Sequence, residues 1–87
     1  MTYAVDITRK ARKQLEKIDR IQRVQIEDAI EGLAEDPRPV GCTKLEGHNS
    51  YRIRVGNYRV IYNVFDGELV VLVVKVGHRR DVYKGYI

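Results

Sequence analysis

The sequence contains very little cysteine, no long apolar run and no segment that resembles a membrane anchor. Its single cysteine, Cys42, has no second cysteine to pair with in the chain, so a reducing compartment suits the protein. The first ten residues lack an apolar stretch of signal-peptide length, and the longest apolar run, 69–74, is too short to span a bilayer. We therefore predict a cytoplasmic protein with no membrane partner.

Several familiar catalytic motifs are also missing. His48 and His78 lack the i, i+4 spacing of a helical zinc pair, and the acidic residues of the second half are scattered. The chain contains neither a P-loop nor a GxGxxG motif. We expect no metal and no cofactor, so any phosphoryl chemistry would depend on arginines for charge stabilisation and on side chains for proton transfer.

The chain is short, and its excess positive charge lies in its second half. With 87 residues the chain is short for two domains, so we predict one domain over residues 1–87. Residues 1–40 carry equal numbers of acidic and basic side chains, so the net charge of +4 comes from residues 41–87. A basic half favours a surface that faces a polyanion, although this charge alone is equally consistent with a simple role in solubility.

Hydrophobic periodicity predicts the element order β-α-α-β-β-β. Residues 3–7 alternate weakly as in a short strand, Thr8 is a predicted helix N-cap, and a second helical pattern runs from about 21 to 35. The period then changes to two, and strands are expected at about 50–55, 58–65 and 68–77. The predicted fold class is α+β, with a helical hairpin packed on one face of a small antiparallel sheet.

The first predicted hairpin places arginines together. A two-residue turn at Gly56-Asn57 sets Arg54 directly opposite Arg59, with Arg52 two residues away on the same face. Like charges in this position destabilise a sheet by up to about 1 kcal/mol, so the cluster does not serve the core. One interpretation is a solvated face whose side chains splay apart. The one we favour is an anion site suited to a phosphate chain, because guanidinium groups match phosphate oxygens.

The second hairpin extends this face toward the C-terminus. A two-residue turn at Asp66-Gly67 would place Arg59 opposite Val74 and bring residues 77–80 to the same side. His78 is then a candidate for proton transfer, because its ordinary pKa is close to neutral, although a surface histidine at a strand end is the alternative. Beyond the strand, Tyr83 is placed to stack on an unpaired base.

Together these segments carry a family resemblance. The stretch YRIRVGNYRVIYNV, followed by a valine-rich strand that ends in VGHRRDVY, resembles the RelE/ParE toxin superfamily and is closer to its RelE branch. The similarity covers nearly the whole chain, from the opening TYAVDIT to the tail. It implies a RelE-like fold and a ribosome-dependent endonuclease that cleaves the A-site codon of mRNA without metal. In such toxins the RNA 2′-hydroxyl is the nucleophile, and a cyclic phosphate is left.

The resemblance also implies roles for individual residues. Arg59 and Arg79 would hold and neutralise the scissile phosphate, and Tyr83 would stack on a codon base. The basic pair of the first hairpin strand corresponds to Arg52 and Arg54. The predicted site residues are, for catalysis, Arg54, Arg59, His78, Arg79 and Tyr83, and for RNA binding, Arg52, Arg54, Arg80 and Lys84.

This chain departs from the RelE pattern at the hairpin pair. In the best-known pattern both residues are lysine, and a lysine there is a candidate base for the 2′-hydroxyl. Arg52 and Arg54 keep their charge and accept protons poorly. Either the reaction depends on electrostatic stabilisation, or His78 acts as acid or base.

A toxin of this type implies partners and leaves rival functions open. The expected partners are the ribosome with its mRNA and a RelB-like antitoxin, a largely disordered chain that folds around the toxin into a hetero-oligomer. One rival is a ParE-like inhibitor of DNA gyrase with the same fold. The other is a non-catalytic nucleic-acid-binding module, whose binding would depend strongly on salt.

Overall fold

Two helices cover one face of a five-stranded sheet in this computed structural model, which describes residues 2–47 and 49–80. The elements are β1 (Ala4–Ile7), α1 (Arg9–Glu16), α2 (Arg20–Gly32), β2 (Thr43–Lys44), β3 (Ser50–Val55), β4 (Tyr58–Phe65) and β5 (Val70–His78). The spatial order is β1-β5-β4-β3-β2. Over the described residues no helix has the length and apolar character needed to cross a membrane.

The α+β prediction and the helical hairpin on a sheet are confirmed, and the sheet has two features beyond the prediction. Strands β2 to β5 pair antiparallel, as expected. Strand β1 pairs parallel to β5, so the sheet is mixed, and the short β2 adds an edge next to β3. In the chain, the two helices lie between β1 and the antiparallel strands. Both helices pack on the same face of the five-stranded sheet.

Side-chain caps begin both helices, and the cap of α1 at Thr8 is the one that the sequence predicted. The Thr8 hydroxyl accepts a hydrogen bond from the Ala11 N–H at 3.1 Å, which satisfies one donor of the first turn of α1. The Asp19 carboxylate accepts one from the Gln22 N–H at 3.4 Å at the start of α2. Helix α1 ends before Ile18, whose side chain is nevertheless buried in the core.

The core lies between the helices and the inward face of the sheet. Ala11, Leu15, Ile26, Ile30 and Leu33 come from the helices and the residue after α2. The sheet contributes apolar side chains at alternate positions, namely Ile53, Val60, Tyr62, Val64, Val71, Val73 and Val76. The helices therefore cover one face only, and the opposite face of the sheet is left for other contacts.

The first hairpin has the predicted strands and the predicted register. Strand β3 ends just before Gly56-Asn57, and β4 begins just after it. Gly56 has a φ of 59°, and a two-residue hairpin turn requires such a positive value. Val55 pairs with Tyr58, and Arg54 pairs with Arg59. The prediction that these two arginines are directly opposite each other is confirmed.

The second hairpin has a longer loop than the two-residue turn we predicted. Phe65 pairs with Val70, so four residues lie between the strands. Leu69 has a φ of 55° and donates its N–H to the Asp66 carbonyl at 3.3 Å. The prediction of a two-residue turn at Asp66-Gly67 is therefore wrong. A leucine seldom adopts positive φ, so the sequence gives no local sign of the longer loop.

A β-bulge shifts the register of β5 once more. Ile61 pairs with Lys75 whereas Tyr62 pairs with Val73, so Val74 is an extra residue in β5. As a result Arg59 lies opposite Gly77, and the prediction that it lies opposite Val74 is wrong. The longer loop accounts for two residues of this difference, and the bulge accounts for the third.

A hydrogen-bonded cluster ties the segment after α2 to the second hairpin. Arg38 donates through Nη1 and Nη2 to both carboxylate oxygens of Asp66, at 3.1 and 2.7 Å, and through Nε to the Tyr51 hydroxyl at 3.0 Å. The Tyr3 hydroxyl donates to the same carboxylate at 2.6 Å. These bonds, that of Arg38 first, hold the pKa of Asp66 below its ordinary value.

Tyr62 makes a second, buried connection to the same segment. Its side chain is fully buried, and its hydroxyl donates to the Pro37 carbonyl at 2.7 Å. Burial, followed by the neighbouring thiol of Cys42, raises the pKa of Tyr62. The ring belongs to the core and the hydroxyl orients the turn that follows α2.

We expect Tyr62→Phe to lower the free energy of unfolding by about 1–2 kcal/mol, because the Pro37 carbonyl loses its buried donor. Urea denaturation at neutral pH measures this change. Tyr58→Phe is the matched control, because the ring of Tyr58 lies at the margin of the core and its hydroxyl has no hydrogen bond to a described residue. Equal stability of wild type and Tyr62→Phe would contradict a structural role for this hydroxyl.

Candidate nucleic-acid interface

The face of the sheet that points away from the helices is called here the outer face. Strand pairing arranges its side chains in rows, because directly paired residues point to the same side. One row consists of Arg54, Arg59 and Gly77, and the next consists of Arg52, Ile61 and Lys75. The three hairpin arginines of the sequence prediction therefore do share one face.

In the first row, Arg54 and Arg59 occupy directly paired positions on neighbouring strands. Arg59 donates through Nη1 to the Tyr58 carbonyl at 3.1 Å and, more weakly, to the Gly56 carbonyl at 3.4 Å. These bonds hold its guanidinium near the turn between β3 and β4. On the other side of Arg59 stands Gly77, which has no side chain to occupy the space beside it. The row therefore brings two guanidinium groups together, and its third position adds no side chain.

The second row combines charged ends with an apolar centre. Arg52 donates through Nη2 to the Thr43 hydroxyl at 3.1 Å, a contact that the short strand β2 provides. Ile61 is fully buried although it is on the outer face, and its two pairing partners are Arg52 and Lys75. The stems of long basic side chains can cover apolar surface, so the two neighbours of Ile61 contribute to its burial.

Carboxylates contribute little to this face. Between residues of the described ranges, one carboxylate–guanidinium pair is within 4 Å, Arg38 with Asp66, and it lies at the opposite end of β4. No described carboxylate makes an ion pair with Arg54 or Arg79. The same ranges contain no group of three or more His, Cys, Asp or Glu side chains that could hold a metal ion. The outer face is thus predominantly positive.

Arg79 lies beside the first turn. Its N–H donates to the Asn57 carbonyl at 2.8 Å, which continues the pairing of β4 with β5 by one step. It follows Gly77 by two residues, so its register position is on the side of Arg59. The predicted proximity of Arg59 and Arg79 is consistent with this placement. Arg80 follows and is exposed.

His78 lies on the helix side of the sheet and not on the outer face. It pairs with Tyr58, and the two rings are in edge-to-face contact with centroids 5.7 Å apart. The bulge explains the difference, because one extra residue in β5 reverses the side on which His78 lies. The expectation that His78 shares a face with Arg59 is therefore wrong, whereas its role in proton transfer stays a prediction.

A cavity of about 440 Å³ adjoins His78 where β1 has ended and α1 runs beside β5. The Gln14 side chain accepts a hydrogen bond from the Val76 N–H at 2.8 Å and so satisfies an edge donor of β5. The Nδ1 atom of His78 accepts from the Arg80 N–H at 3.2 Å. The neutral imidazole then carries its proton on Nε2.

Two predicted site residues have no described position, and sequence reasoning missed one residue of the outer face. Tyr83 and Lys84 lie outside the described residues. Lys75 lies on the outer face, and sequence reasoning missed it because its side of the sheet depends on the bulge. A lysine within the apolar stretch LVVLVVKV was the signal that could have found it, since an isolated lysine is rarely placed in a core.

We expect Arg54→Gln to raise the free energy of unfolding by up to about 1 kcal/mol, because it removes a like charge opposite Arg59. The gain should shrink at high salt, where the repulsion is screened. Urea denaturation at low and high salt measures both effects. Arg20→Gln is the matched control on an exposed helix position, and a destabilised Arg54→Gln variant would contradict the proposed repulsion.

Comparisons with known proteins agree with this geometry. Residues 5–83 match the family model of the ParE toxin of the type II toxin–antitoxin system parDE. The chain is 34% identical to toxin RelG of Mycobacterium tuberculosis, over 97% of this chain and 99% of that protein. It is 33% identical to the mRNA interferase toxin RelE of Escherichia coli, over 95% of this chain and 92% of that protein.

Solved structures show the same fold. The archaeal RelE–RelB complex from Pyrococcus horikoshii contains a chain that matches with a TM-score of 0.84 and 31% identity, over 94% of this chain and 100% of that one. The E. coli RelBE toxin–antitoxin complex matches with a TM-score of 0.75 and 33% identity, over 87% and 95%. The chain therefore belongs to the RelE/ParE superfamily and is a RelE-like toxin of a toxin–antitoxin system.

Proposed function

We propose that this toxin is a metal-free endoribonuclease that cleaves mRNA in the A site of the ribosome and thereby inhibits translation in the cytoplasm. The observation that carries the proposal is the row in which Arg54 is directly opposite Arg59, with Gly77 beside it. This arrangement costs stability and provides two guanidinium groups for one phosphate. The similarity to the mRNA interferase toxin RelE of E. coli supports it.

In this proposal the arginines perform most of the catalysis. Arg59 and Arg79 neutralise the charge that develops on the scissile phosphate as the 2′-oxygen attacks. Arg54 reaches the same phosphate from the position opposite Arg59, Arg52 holds the flanking backbone, and Tyr83 stacks on a base of the codon. Holding the 2′-oxygen in line with the leaving 5′-oxygen converts a slow reaction of RNA into a fast one.

An antitoxin is the second proposed partner, and it would resemble the RelB chains found with related toxins. A groove of about 540 Å³ adjoins the outer face between α2 and the β2–β3 edge, and Ile53 and Arg54 line it. Val40 is fully exposed at this groove. Apolar surface next to a basic row suits an acidic, amphipathic segment that folds on binding.

The matching family model favours one alternative function. It describes ParE toxins, so inhibition of DNA gyrase through protein contacts is the second candidate. That function needs no RNA-cleaving site, and the pair Arg54 and Arg59 would then serve only to bind. Blocked supercoiling together with intact mRNA would support this candidate, and salt-dependent RNA binding without turnover would support a simple binding module.

The direct test adds the purified chain to programmed ribosomes and maps the 5′ ends of the mRNA. We expect cuts within the A-site codon for the wild type. Arg59→Ala and Arg79→Ala should each lower the cleavage rate by about 10²-fold or more, because each removes a donor from the developing charge. Arg20→Ala, on the surface of α2, is the charge-matched control. Intact mRNA with wild-type protein would overturn the proposal.

The predicted role of His78 is tested separately. If its imidazole moves a proton, His78→Gln should lower the cleavage rate by about 10²-fold or more and remove one inflection from the pH–rate profile. The contact with Tyr58 on the helix side makes thermal unfolding of the variant a necessary companion measurement. An unchanged rate and profile would assign proton transfer to another group.

A further inference from the structure

The proposed reaction lacks an obvious proton acceptor on the outer face. Arg52 and Arg54 stay charged at any accessible pH and accept protons poorly. His78 is on the other side of the sheet. Lys75 is the one lysine in the two outer-face rows, and a neutral amine is an effective proton acceptor.

The β-bulge is the feature that brings Lys75 to this face. If β5 continued in the register set by Tyr62 and Val73, position 75 would point into the core beside Val60. The extra residue, Val74, turns Lys75 outward instead. Bulges recur next to active sites, where they redirect a side chain.

Its position in the row places Lys75 close to the arginines. Lys75 pairs with Ile61, and Arg59 is two residues from Ile61 on the same face. Such diagonal neighbours are about 7–8 Å apart at the backbone, which long side chains can bridge. The intervening position on β5 is Gly77, which contributes no side chain between the two positions.

The surroundings of Lys75 suit a proton acceptor. Lys75 is 8% exposed and is the one charged side chain within the described ranges that is buried. Burial, followed by the nearby positive charge of Lys10, lowers the pKa of Lys75. A lower pKa increases the fraction of neutral amine near physiological pH, which is the form that removes a proton.

We propose that Lys75 accepts the proton of the 2′-hydroxyl in the cleavage reaction, an inference that rests on the proposed endoribonuclease function. The neutral amine takes the proton and becomes an ammonium ion while the 2′-oxygen forms a bond to phosphorus. The bond between phosphorus and the 5′-oxygen then breaks, and the leaving oxygen takes a proton from water. The products are a 2′,3′-cyclic phosphate and a 5′-hydroxyl.

Lys75→Arg tests this role, because arginine keeps the charge and most of the stem but cannot accept the proton. We expect the rate of A-site cleavage at neutral pH to fall by about 10²-fold or more. The wild-type rate should level off above the pKa of Lys75, and the variant rate should continue to rise with pH. Lys13→Arg, at an exposed position on α1, is the matched control.

A measurement on the free wild-type protein accompanies the kinetics, so that the inference does not depend on how the variant folds. NMR titration of the Lys75 side chain should show it losing its proton at a lower pH than an ordinary lysine does. Titration of Lys75 at the ordinary lysine pKa overturns the inference, as does wild-type cleavage by a folded Lys75→Arg variant. No A-site cut by the wild type overturns the proposed function itself.

Discussion

The pairing register of β3, β4 and β5 is the constraint on which the outer face depends. The two-residue turn at Gly56-Asn57 sets the first pairing, and the bulge at Val74 sets the second. Because side chains alternate along a strand, a shift by one residue would exchange the core and the outer face. The register thus places Arg54 and Arg59 together and at the same time keeps Val60 and Val76 in the core.

This arrangement sets stability against function. Directly opposed arginines repel each other, and among the described residues no carboxylate forms an ion pair with Arg54 or Arg79 that would offset the repulsion. The fold compensates elsewhere, through the buried hydroxyl of Tyr62 on Pro37 and through the bonds of Arg38 to Asp66. Sites that bind a strongly charged ligand often carry such a cost, since the ligand supplies the missing counter-charge.

The parts of the fold that follow from local chemistry were predictable from the sequence. The Thr8 hydroxyl before a helical pattern identified the cap of α1, and Gly56-Asn57 identified the first hairpin with its register. That register also predicted correctly that Arg52, Arg54 and Arg59 lie on one face of the sheet. Tertiary packing decided the rest. The positive φ of Leu69 and the bulge carry no strong local signal, and the bulge in turn decides the sides of His78 and Lys75.

The contact between Arg38 and Asp66 was also beyond sequence reasoning. The two residues are 28 positions apart, and the sequence analysis assigned Asp66 only to a turn. Their bidentate pair joins the segment after α2 to the second hairpin, at the end of β4 far from Arg59. Arg38, which stabilises the fold through Asp66, therefore lies apart from the arginines of the outer face.

The central claim is that Arg54 and Arg59 act together on one phosphate, and a double-mutant cycle on the single-turnover rate of A-site cleavage tests it most directly. The cycle compares the wild type, Arg54→Ala, Arg59→Ala and the double variant. We expect strong coupling, with the double variant losing far less rate than the product of the two single losses. Losses that simply multiply would mean that the two arginines act at independent places, and this would contradict the claim.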